Sequence, residues 1–99
     1  MAGGSLWDLI SKLEDRPDAT VTLDHLVIEV PIHKVSRLTR AAETARRDGA
    51  VIYLEESRSR YLQRDILVCA TGEARVMLPL IKLLAELGGS TGAKWREGK

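Results

Sequence analysis

The sequence predicts a single α+β domain: a small antiparallel sheet of about five strands, in two β-hairpin–Pro–helix units, with three α-helices. Three observations carry this. Residues 5–16 and 31–48 repeat apolar side chains at helical spacing. The stretch "VTLDHLVIEV" switches its apolar positions from odd to even midway. Two short apolar runs, "DILVCA" and "ARVML", flank Thr71-Gly72-Glu73. At 99 residues the chain suits one domain. The domain is read as residues 1–88, with residues 89–99 a flexible basic tail.

Taken in order, the first element is a helix. Ser5 can cap it, Asp8 completes a capping-box pattern, and Leu6, Leu9, Ile10 and Leu13 form its apolar stripe. Pro17 stops it. In "VTLDHLVIEV", a hairpin turning at Asp24-His25 places Val21, Leu23, Leu26, Ile28 and Val30 on one face. A bulged single strand is the alternative. Pro31 fits the first turn of a second helix, which buries Val35, Leu38, Ala42 and Ala45 and ends at Gly49. "AVIYLEE" reads as the next strand. In "GEARVMLPLIKLLAEL", Pro79 argues against one long helix, because an interior proline costs about 3 kcal/mol. A hairpin around residues 71–73, followed by a helix from Pro79 to Leu87, fits the pattern better. That last helix is apolar almost all round, which predicts self-association through it. The segments "PIHKV" and "PLIKL" then look like matching parts of a duplicated unit.

Composition excludes several classes. No apolar run reaches the ~18 residues of a membrane span, and the N-terminus lacks the pattern of a signal peptide. The single Cys69 permits no intrachain disulfide, so a reducing, cytoplasmic location is expected. No nucleotide loop, dinucleotide fingerprint or nucleophile elbow is present, and His25 and His33 lack partners at metal spacing. No enzyme, cofactor or metal is therefore expected. Asn is absent, Gln occurs once, and Arg outnumbers Lys ten to five, a composition that points to a thermophile.

The net charge of +1 hides segregation: residues 1–30 carry six acidic and two basic side chains, residues 31–64 eight basic and four acidic. Within the basic stretch, Arg37, Arg40 and Arg47 share a helix, and Arg58, Arg60 and Arg64 surround Tyr61 in "SRSRYLQR". Guanidinium groups interleaved with aromatics are what single-stranded nucleic acid requires: phosphate contacts plus stacking, here from Tyr53, Tyr61 and Trp95. An ion-paired surface is the competing reading, given Glu43, Asp48, Glu55 and Glu56 nearby. The far face of the sheet would carry Val27, Val51, Tyr53, Leu67, Cys69 and Met77, too apolar to face water alone. A covering helix, a partner subunit or a ligand cleft would account for it.

The hairpin-and-helix layout over residues 20–88, including "VTLDHLVIEVPIHKVSRL", and the Arg/aromatic loop resemble the archaeal ThermoDBP-related single-stranded DNA-binding proteins. The resemblance implies a cleft of apolar and basic side chains in an oligomer that encloses the strand. The expected protein is thus non-catalytic and largely sequence-independent in binding single-stranded DNA, or RNA, as a dimer or tetramer. A protein-interaction module that docks through the apolar sheet face is the alternative.

Overall fold

The computed structural model describes residues 2–87 and 93–98, with side chains for residues 5–87. Strand β1 (Ala2–Gly4) leads into helix α1 (Leu6–Glu14), and β2 (Thr20–Pro31) is followed by a 3₁₀ turn, Ile32–Lys34. Helix α2 (Val35–Arg47), strands β3 (Val51–Arg60) and β4 (Gln63–Glu73), helix α3 (Ala74–Glu86) and strand β5 (Ala93–Gly98) complete the chain. The strands form one sheet in the order β1-β5-β2-β4-β3, antiparallel throughout.

The α+β class stands, but the strand assignment does not. Between residues 5 and 87 the sheet has three strands, not about five. Neither expected hairpin–Pro–helix unit exists, and with them goes the duplication. The terminal strands β1 and β5 extend the sheet, but neither is one of the strands expected. Ala93–Gly98, expected within a flexible tail, pair with β2 and β1.

Two local features account for the errors. The chain does not turn at Asp24-His25. Leu23 lies opposite Ala70 and Leu26 opposite Val68, so two residues of β2 face Cys69 alone. That is a β-bulge, and His25 takes the left-handed conformation, φ 50°, that it needs. The extra residue resets the two-residue period, so Val21, Leu23, Leu26, Ile28 and Val30 are all buried on one face of a single strand.

The second feature is α3, which runs straight through Pro79. The ring removes a hydrogen bond to the carbonyl of Arg75, but Pro79 lies on the exposed side, where water can serve that oxygen. The same helix fully buries Met77, Leu80, Ile81 and Leu84. At about 1.5–3 kcal/mol each, as an upper estimate, that burial exceeds the proline penalty of ~3 kcal/mol. The helix start is fixed by the loop before β2: Ala74 N–H donates to the Ala19 carbonyl (2.8 Å) and Arg75 N–H to that of Pro17 (3.2 Å).

Other elements follow the sequence. Ser5 Oγ accepts from Trp7 N–H at the start of α1, and Leu6, Leu9, Ile10 and Leu13 are buried. Helix α2 starts at Val35 rather than at Pro31, which ends β2; it buries Leu38, Ala42 and Ala45, leaves Val35 only partly buried, and is closed by Gly49 at φ 106°. Gly72 marks a close approach, since a Cβ there would lie 3.0 Å from that of Ala50. All three helices contribute to one core with the same face of the sheet. Helix α3 is apolar on several sides because it packs against α1, α2 and the sheet, which accounts within one chain for the surface on which self-association was expected. Met77, expected on the far face, is part of that core.

Candidate functional site

Among the described residues the helices cover the sheet on one side only. On its other side the described residues leave Val27 51%, Val51 74% and Tyr53 53% exposed, around the half-buried Leu67 and Cys69 of β4. No helix of the described residues covers this side. The hydroxyls of Thr22 and Thr71 meet across it at 3.2 Å. The charge of Glu55, then partial burial, raises the Tyr53 phenol above its ordinary value of 10.0.

A second bulge decides which arginines join Tyr53. Glu56 lies opposite Ile66 and Arg58 opposite Asp65, so Ser57 is the extra residue, its hydroxyl donating to the Asp65 carbonyl at 3.2 Å. Val51, Tyr53 and Glu55 occupy odd positions before the bulge; Arg58 and Arg60 occupy even positions after it. The reset puts all five on the open face.

The strand then turns through Tyr61 and Leu62. Tyr61 is 90% exposed, and Leu62 sits at φ 70°. Arg60 bridges three strands: Nη1 lies 2.6 Å from Oε2 of Glu29, and Nη2 2.9 Å from Oδ2 of Asp65. Hydrogen bonding to Asp65, then that carboxylate's charge, holds the guanidinium more firmly protonated than usual.

Arg64 points to the helix side. Its Nε lies 2.7 Å from Glu56 Oε2, and its Nη1 donates to the carbonyls of Arg60 (2.7 Å) and Gln63 (2.8 Å). With Arg40 it borders a groove of about 670 Å³ between α2 and the β3–β4 hairpin, over Ile32, Val35 and Ile66. Glu43 and Glu56 line the same groove, so its formal charge balances. Of the α2 residues that line the groove, Ser36 and Thr39 gave no signal in the sequence, because their stripe reads as the solvated side of an amphipathic helix.

The expected nucleic-acid residues therefore do not share one surface. Tyr53, Arg58 and Arg60 lie on the open face with Tyr61 at its end; Arg40 and Arg64 border the groove. Arg37 lies 3.9 Å from Glu86 of α3, and Arg47 is in the last turn of α2. The backbone of Trp95 lies in β5, opposite Leu23 in register, but its side chain is outside the described residues. Arg60 and Arg64 are committed to carboxylates, whereas Arg40, Arg47 and Arg58 make no ion pair among the described residues. Among those residues there is no cluster of three or more His, Cys, Asp or Glu placed to hold a metal, and no helix long and apolar enough to cross a membrane.

The chain matches no protein-family model, no curated protein and no solved structure.

Proposed function

We propose that the chain is a non-catalytic docking module that binds protein through the open face of its sheet. The observation that carries this is the uncovered apolar surface of Val27, Val51 and Tyr53, bordered by Glu29, Asp65, Arg58 and Arg60. An apolar centre with a charged border is the anatomy of a protein interface. It is tested with an environment-sensitive apolar dye in dilute solution. The parent binds the dye, and Val51→Lys and Tyr53→Lys remove that binding while circular dichroism stays native. Dye binding that survives both substitutions excludes the open face as the docking surface.

Single-stranded DNA is the second reading, favoured by Arg58, Tyr53 and the fully presented Tyr61 on one hairpin. Glu29 and Asp65 hold Arg60, and Glu56 holds Arg64, so Arg58 is the guanidinium there left to meet a phosphate. Each neutralised phosphate contributes about 0.7 log unit of affinity per log unit of salt, so this reading expects a shallow salt slope. Fluorescence anisotropy with labelled oligothymidylate checks it: Tyr61→Ala weakens binding and duplex competes poorly. No binding at low salt removes it.

A further inference from the structure

We propose that the groove between α2 and the β3–β4 hairpin is a binding site for a small apolar zwitterion, a free dipeptide with aliphatic side chains. The groove lies on the helix side of the sheet, so the site is separate from the docking surface read on the open face.

The charged groups still free in the groove choose the ligand. On the hairpin wall Arg64 and Glu56 satisfy each other, Nε to Oε2 at 2.7 Å, and Arg64 is pinned further by the carbonyls of Arg60 and Gln63. On the helix wall Arg40 and Glu43 line the same groove. Neither makes an ion pair or a side-chain hydrogen bond, with the other or with any other described residue. Their order in the chain is a reason. Helices favour an acidic residue N-terminal to a basic one, and here the arginine comes first. One cation and one anion are thus left to a ligand. A plain carboxylate drawn to Arg40 would meet Glu43 within a turn of helix, and a plain amine drawn to Glu43 would meet Arg40. A zwitterion satisfies both.

Spacing and floor then select among zwitterions. Arg40 and Glu43 start about 4.5 Å apart along the helix axis, the rise of three residues. In a free amino acid both charges sit on one Cα; in a dipeptide they sit on successive Cα atoms, about 3.8 Å apart, which is closer to that rise. Each added residue extends the peptide by about 3.3–3.6 Å and carries one terminus past its anchor. The floor is Ile32, Val35 and Ile66, and Ile32 stands 44% exposed, so aliphatic side chains gain burial there. The volume, about 670 Å³, falls among those of small-molecule sites, ~300–1,000 Å³.

The test is a chemical-shift titration of the isotope-labelled protein with leucyl-leucine. The parent binds with a Kd below about 1 mM, and amides of α2 and the hairpin move. The N-acetylated and the C-amidated dipeptides each bind at least about tenfold more weakly, since each leaves one charged partner unmet. Arg40→Gln binds leucyl-leucine and its amide equally but still rejects the acetylated form. Glu43→Gln binds leucyl-leucine and its acetylated form equally but still rejects the amide. Tyr53→Lys, on the other side of the sheet, leaves the titration unchanged. No shifts up to about 10 mM, tenfold above that Kd, overturn the proposal. So does equal binding of the free and capped dipeptides, or of leucine and leucyl-leucine, or survival of both preferences in Arg40→Gln and Glu43→Gln. Loss of binding in Tyr53→Lys places the peptide on the open face and also overturns it. Dye binding at the open face is read independently of all these outcomes.

Discussion

Leu62 holds φ 70° while its side chain is 58% exposed. A branched side chain gains little burial there and carries backbone strain that glycine would not. Leu62→Gly is therefore expected to keep or raise stability, by up to about 1 kcal/mol, as read from the urea midpoint. A loss would mean that the leucine packs on something in solution, the nearest open apolar neighbour across the turn being Ile32, whose N–H donates to the Leu62 carbonyl. Tyr53 offers a second measurement. Its folded pKa is raised, chiefly by Glu55, so above pH 10.0 the unfolded chain releases a proton that the folded chain retains. The Tyr53 contribution to stability is therefore present below that pH and lost as pH rises through the raised value. In a Tyr61→Phe background, ultraviolet titration is expected to place the Tyr53 midpoint above 10.0, with Glu55→Gln bringing it down. No change on Glu55→Gln would remove the electrostatic cause.

Helix α3 carries the prediction that belongs to elements. Pro79→Ala restores the hydrogen bond to Arg75 in an exposed helix interior, and is expected to stabilise the chain by up to ~3 kcal/mol in urea melts. An unchanged midpoint would show that the helix start at Ala74 is not maintained in solution. This element also shows what the sequence withheld. The amphipathic stripes of α1 and α2 were legible because local spacing alone sets them, as was the α+β class. Pro79 was misread because its local cost is visible in sequence, whereas the burial of Met77, Leu80, Ile81 and Leu84 depends on contacts with distant elements. The bulge at Asp24-His25 was legible only as the alternative to a hairpin, and the bulge at Ser57 was not legible. Only the partner strand decides between a turn and an extra residue, yet each bulge decides which side chains share a face. The candidate site suffered most from this. Arginines and tyrosines were recognisable as residue types, but Glu29, which holds Arg60, arrives from a strand 31 residues away in sequence. Strand β3 is one edge of the sheet, and its bulge and the run from Glu55 to Arg60 suit it poorly for pairing with another edge.

At the scale of the molecule, folding and docking occupy opposite sides of one sheet. The helix side holds a single core, to which Leu84 contributes with no exposure. The other side leaves Tyr53 and Val51 in water. A carboxylate at Leu84 would sit unpaired in that core and cost more than a domain of this size can spare, since ordinary stability is only about 5–15 kcal/mol. A lysine at Tyr53 would remain solvated and act on docking alone. Thermal melts separate the two. Tyr53→Lys is expected to melt cooperatively, at the temperature of the parent. Leu84→Glu is expected to lack a cooperative melt. Should Leu84→Glu fold normally, the packing of α3 between α1, α2 and the sheet would be wrong.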